Sequence, residues 1–448
     1  MRLAGVLFFS ALLFFSACKL DTTIGPEKKA ETSGSTPTTN TGFYSRYIAI
    51  GDSQTAGYTN DGLYNWGIYN SFPNIFAGSL EGSGLKTFNQ PLFSIAQMNG
   101  TGFMELKGTD ANGQPLIVRD TLKTAIRGSI NISGSGTMQL LSKFTGDNDN
   151  FGVAGLKVAD ISNTQTGNTN RYFERLLPLN APANNTSYVD FITSKPFGFF
   201  TLNLGTNDVF GYAAGGGVKP LALTDKTTFN TSYTLLVNKL TANGAKGVLT
   251  TIPDVSALPF FTATKLADIL TKAKVISPTF DKLYIEAKQS IDVGQDGYEV
   301  RAATSADLLL LSLNVSQIGK QVSTTHGAQY YGLSPYAPIE NKWILDVNEK
   351  TIASDYITAY NTSIRTLAST KALALFDAYA FFNDVKKGTT VQGISVSSNY
   401  LTGGLFSLDG VHLSPRGNAI LANMYVAVTN AKYGTTLKEA KLSDYSAN

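Results

Sequence analysis

The sequence predicts an α/β fold, a mostly parallel sheet with helices on both faces. Two observations carry this expectation. Short apolar runs of strand length recur along the chain, and longer amphipathic stretches of helical period lie between them. With 448 residues, 43% of them hydrophobic, the chain has enough apolar surface for one large domain or two smaller ones.

Four runs read as buried strands, each closed by a residue that breaks the strand pattern. Tyr47-Ile48-Ala49-Ile50 ends at Gly51, and Phe199 to Leu204 ends at Gly205. Gly247 to Ile252 ends at Pro253, and Leu373 to Phe376 ends at Asp377. One crossover helix is marked by Phe229, Tyr233, Leu236, Val237 and Leu240 on one face, with Gly244 as its stop. At the end of the chain Ser414 suits an N-cap and Pro415 the first turn. Ile420, Met424 and Val428 then recur on one face.

Two stretches exceed what a minimal strand–helix alternation needs, one near residues 81–148 and one near 257–346. They read as insertions carrying loops and extra helices, a usual place for selectivity. The glycine-rich stretch Gly211 to Gly217 reads as a flexible loop beside the carboxyl end of the second strand.

The N-terminus has its own logic. Arg2 is followed by an apolar run from Leu3 to Phe15, too short to span a bilayer comfortably, and Ser16-Ala17-Cys18 closes it. Residues 1–17 therefore read as an export signal. The Ser-Ala-Cys ending resembles the lipobox of bacterial lipoproteins, which implies lipidation of Cys18 and attachment to the outer membrane or cell surface. An ordinary signal peptide with a nearby cysteine fits the same residues. Residues 18–43, rich in Thr, Ser, Gly, Pro, Glu and Lys, read as a disordered tether. Such a tether spans about 25–30 Å. The domain then runs over 44–448.

Composition narrows the function classes. The net charge is +3 with no dense Lys/Arg stripe, which argues against nucleic acid as a partner. One cysteine and two histidines leave too few ligands for a structural zinc site or a disulfide framework. No metal and no cofactor is expected. The sequence does not set the oligomeric state.

Four blocks can carry chemistry. Gly51-Asp52-Ser53 follows the first strand, so Ser53 would stand at a helix entrance with its hydroxyl exposed beside free amides; a glycine-flanked turn also explains it. Gly205-Thr206-Asn207-Asp208 follows the second strand, where an asparagine amide can face an anion that exists only in a transition state; an Asx turn fits as well. In Asp409-Gly410-Val411-His412 a carboxylate can orient an imidazole three residues later, leaving its other nitrogen to act as a base. Asn150 to Gly155 leaves a further strand, and Gly155 can present a backbone N–H without a crowding side chain.

In order, Ser53, Gly155, Asn207, Asp409 and His412 resemble the diagnostic blocks of the SGNH hydrolases, the GDSL esterases and lipases. The resemblance covers about Tyr47 to Lys432. Gln54 stands where the family name has leucine, and no chemical role is expected for it. The resemblance implies a three-layer α/β/α sandwich with a flavodoxin-like sheet of about five parallel strands. It implies Ser53 as nucleophile on an ester substrate, His412 as base and Asp409 as its orienting partner. The N–H groups of Ser53 and Gly155 and the amide of Asn207 would form the oxyanion hole. Acetylated glycans, lysophospholipids, short fatty esters and thioesters all remain open as substrates. A surface lipoprotein that uses the fold only to bind glycans or a protein partner is the alternative outside catalysis.

Overall fold

The computed structural model describes residues 41–447, except 110–114, 133, 135, 219–222 and 294–296. The expected signal (1–17), Cys18 and all but the last residues of the expected tether lie outside the described residues. The end of the tether needs correction. Phe43 packs its ring on Phe199 and Tyr433, with centroids 6.0 and 5.8 Å apart, so the folded domain already includes it. An aromatic ring within reach of the core gains more from burial than from solvent.

Five strands form one sheet: β1 (Tyr47–Gly51), β2 (Asn150–Gly152), β3 (Phe199–Asn203), β4 (Lys246–Thr250) and β5 (Ala374–Phe376). Their order is β5-β4-β3-β1-β2, and every pairing is parallel. This is the flavodoxin-like arrangement. The chain passes from β1 to β2 on one side and to β3 on the other, which opens a crevice at the carboxyl ends of β1 and β3.

The strands are apolar because both faces of the sheet are covered. Tyr47, Phe199 and Thr250 point to one face. There they meet α2 (Phe72–Leu80) and α6 (Pro415–Tyr433) through Phe76 and Tyr425. On the other face α4 (Lys226–Thr241) lies against α5 (Val347–Thr370), where the Phe229 and Tyr360 rings stack at 3.9 Å. The expected caps hold: the Ser414 side chain accepts from Gly417 N, and Pro415 opens α6.

The first long insertion holds two β-hairpins where loops and helices were expected. They are Phe103–Thr109 with Pro115–Asp120, and Ile126–Ile132 with Gly136–Leu141. Met138 and Leu140 are buried while Thr137 and Gln139 are exposed, the period of two that a strand requires. The second insertion has a helix, Leu266–Ile276, and further hairpins around a separate small core that includes Leu283, Ile285, Leu309 and Ile344.

The Gly211–Gly217 stretch is also corrected. Gly211 belongs to the helix α3 (Asn207–Ala214), and Gly216 and Gly217 pack tightly against the backbone of Asn341 and the side chain of Glu349. Tight packing of that kind holds the turn in place beside the second insertion and removes the reason to expect a flap.

Candidate active site

The register of the sheet gathers the four blocks. Gly51 pairs with Gly152 on one side and with Asn203 on the other. The three loops that carry Ser53, Gly155 and Asn207 therefore leave the sheet from one row. His412 and Asp409 arrive from the loop before α6. Ser53, Gly155, Asn207, Asp409 and His412 all line one groove of about 860 Å³.

Ser53 opens α1 (Ser53–Ala56), capped by the Asp52 carboxylate, which accepts from Gln54 N at 3.2 Å. Gly51 admits no side chain, since a Cβ there would lie 2.3 Å from Asn203 O and 2.1 Å from Thr55 Oγ1. His412 Nε2 lies 2.9 Å from Ser53 Oγ, and His412 Nδ1 lies 2.9 Å from Asp409 Oδ2. Asp409 is held on both oxygens. Its Oδ1 accepts from Val411 N, His412 N and Ser407 Oγ, and its Oδ2 also accepts from Asp61 N.

These contacts set the charges. Burial raises the Asp409 carboxyl, but His412 and the backbone donors outweigh that and hold it well below the usual carboxylate range. Burial alone would lower the His412 imidazole. Asp409, with smaller help from Asp52 and Asp61, reverses this and lifts it above its ordinary 6.5. Asp52, fully enclosed beside them, is pushed by burial up to about 6 despite the Gln54 amide.

Asn207 is the first residue of α3, and its Nδ2 donates to Leu156 O at 3.1 Å. That bond uses one of two amide hydrogens and fixes the plane of the other. Gly155 adopts φ +78°, a left-handed conformation that a side chain disfavours, and it lies exposed to the groove. Neither its N–H nor that of Ser53 has a partner among the described residues. The neighbouring Asp208 is buried and ties the site together from behind. It accepts from Val158 N at 2.8 Å and Thr224 Oγ1 at 2.6 Å, and burial raises it to about 7.

Gln54 corrects an expectation. Its Nε2 donates to Asn418 Oδ1 at 2.7 Å, and its Oε1 accepts from Leu413 N at 3.3 Å. The side chain thus clamps the residue after Ser53 to the residue after His412. Leucine could make neither bond. Asp61, Ser407 and Tyr58, whose ring sits 4.8 Å from the imidazole, were equally unmarked in the sequence. His326 is exposed in a hairpin turn, stacked on Tyr336 at 4.0 Å, and lies outside the groove lining.

The flavodoxin-like sheet thus holds a serine, a histidine and an aspartate in a hydrogen-bonded line at its carboxyl edge. The chain belongs to the GDSL-like lipase/acylhydrolase family, whose model matches residues 47–424. Membership places it among ester hydrolases in general. No curated protein matches the chain. Among solved structures it is similar to two variants of an acetyl-xylooligosaccharide esterase from Geobacillus stearothermophilus. These share 12% identity, cover 90% of this chain and 98% of that one, and give a TM-score of 0.35. A catalytic variant of an acetylxylan esterase from the same organism gives 13%, 90%, 98% and 0.35.

Proposed function

We propose that this protein cleaves carboxylic esters through an acyl-enzyme on Ser53. The observation that carries this reading is the unbroken line from Ser53 Oγ through both nitrogens of His412 to Asp409, at 2.9 Å per step. Ser53 Oγ bonds to the ester carbonyl carbon while its proton passes to His412 Nε2. The carbonyl oxygen becomes an oxyanion facing the N–H groups of Ser53 and Gly155 and the second amide hydrogen of Asn207. When the carbonyl reforms, the bond to the alcohol oxygen breaks and His412 returns the proton to it. Water then enters, and its oxygen bonds to the acyl carbon while its proton passes to His412. When the carbonyl reforms, the bond to Ser53 Oγ breaks, His412 returns the proton to Ser53 and the acid leaves. Asp409 keeps the proton of the resting imidazole on Nδ1 and stabilises the imidazolium between steps. These steps need no cofactor.

A fluorophosphonate probe tests the reading directly. It should modify Ser53 in the native protein and leave the Ser53→Ala and His412→Ala variants unlabelled. Labelling elsewhere, or none, would overturn the proposal.

Asn207→Ala should lower kcat by about 10²–10³ with little change in KM, since the amide acts on charge that develops after binding. Steady-state kinetics on a p-nitrophenyl ester gives both numbers, and a loss confined to KM would remove Asn207 from the oxyanion hole. Gln54→Ala should lower kcat by roughly 10-fold to 10²-fold, the scale expected when a positioned group is let loose. KM and the thermal unfolding midpoint should stay close to native. A drop in stability with kcat intact would make Gln54 merely structural.

We also propose that the protein is exported and anchored in a membrane through lipid on Cys18, which rests on the N-terminal sequence alone. Incorporation of labelled fatty acid in cells should vanish in Cys18→Ser. A chain starting near Thr41 should remain soluble and active.

A further inference from the structure

The groove is not the only space that reaches Ser53. A second, smaller cavity of about 110 Å³ is lined by the same Ser53 and His412 side chains. Asn203, Thr250 and Phe376, at the carboxyl ends of β3, β4 and β5, lie along it. Its walls are mostly apolar: Leu258, Ala378, Phe382 and Leu421 join Phe376 there. All five are buried in the core, and Phe382 is braced by the rings of Phe381 and Phe406 at 5.2 and 5.9 Å. Walls of this kind do not yield easily to a larger guest. Phe210 and Val411 line both spaces, so the groove and the cavity meet at the reacting pair.

The groove is different in size and character. At about 860 Å³ it is nearly eight times larger, open to solvent and faced by Tyr58, Tyr172, Phe260 and Tyr400. The two halves of an ester have unequal needs in the mechanism proposed above. The alcohol must leave after acylation and a water must take its place, so that half needs an open route. The acyl group stays covalently bound to Ser53 until deacylation and leaves only at the end, as the acid, so no second reactant has to replace it there.

Resting on that mechanism, we infer that the smaller cavity is the acyl site and that the substrates are short-chain acyl esters of bulky alcohols. A dry cavity of about 150 Å³ is known to hold benzene, with six carbons, so this one suits a chain of about four. The groove takes the alcohol, whose flat or apolar faces pack on its aromatic side chains. The apolar walls of this cavity, not the groove, set the acyl length.

The test is kcat/KM over p-nitrophenyl acetate, butyrate, hexanoate and octanoate with the native protein and two variants. Each methylene that fits should raise kcat/KM roughly fourfold, which puts butyrate about 16-fold above acetate. Octanoate should fall below butyrate because its tail has no room. Ala378→Phe fills the cavity and should reduce the butyrate-to-acetate ratio by about 10-fold, close to the whole gain expected from two methylenes. Phe382→Ala lengthens the cavity and should move the optimum to hexanoate or octanoate. If Ala378→Phe does not fold, the shift in Phe382→Ala decides the matter alone. Native rates that climb steadily to octanoate, or chain-length profiles that neither variant alters, would overturn the acyl assignment. Acetate cleavage with fluorophosphonate labelling at Ser53 would then leave the hydrolase reading standing. Loss of both would overturn the two together.

Discussion

His412→Ala is expected to lower ester hydrolysis by about 10⁴-fold or more, and His326→Ala to leave it within twofold of native, by analogy with other serine–histidine pairs. The two imidazoles are the only ones in the chain, so the comparison is clean. His412 touches Ser53 Oγ with one nitrogen and Asp409 with the other. His326 is exposed, and its ring contacts are with Thr325 and Tyr336. The pH profile separates them further. A base must be neutral to take the serine proton, so kcat/KM falls as pH drops through the imidazole pKa. Because Asp409 lifts that pKa above 6.5, the acid limb should have its midpoint above pH 6.5. His326→Ala should keep this limb unchanged. A dead His326 variant, or a live His412 variant with the same limb, would sink the assignment.

Asp409→Asn should cost about 10⁴ in kcat while the protein stays folded. The asparagine keeps an oxygen for Val411 N, His412 N and Ser407 Oγ, which support the loop. Its amide, however, donates toward Nδ1 and leaves the imidazole proton on Nε2, the nitrogen that must accept. The residual activity carries a second signature. Burial is the largest influence on His412 and lowers its pKa, whereas Asp409 is the main influence that raises it. With that charge gone the acid limb should move to lower pH than in the native protein. Residual rates measured from pH 4 to 8 would show it. An unmoved limb would mean that some other group titrates.

The strands and helices were legible because their signals are local. Alternation of apolar runs with helical periods places β1, β3, β4, β5, α4 and α6 within a few residues of their observed bounds. The hairpins of the first insertion also left a local trace, the alternation around Met138 and Leu140, but the abundance of Gly, Thr and Ser in that stretch obscures it. The role of Gln54 left none. Its partners Leu413 and Asn418 stand 359 and 364 residues away, and nothing in Gly-Asp-Ser-Gln announces them. The Asp61 amide on Asp409 is separated by 348 residues and is just as silent.

By itself the sequence determined which groups are present and on which strand ends they sit. A serine after β1, an asparagine after β3 and an aspartate three residues before a histidine are facts of local order, and parallel α/β sheets expose their strand ends at one edge. The tertiary structure alone decided that Gly51, Gly152 and Asn203 stand in one row, that Ser53 and His412 meet at 2.9 Å, and that two spaces of unequal size share them. The reason is physical. Propensity and period act over a few residues, whereas register, crossover and cavity shape come from packing side chains that the chain brings together only once it has closed on itself.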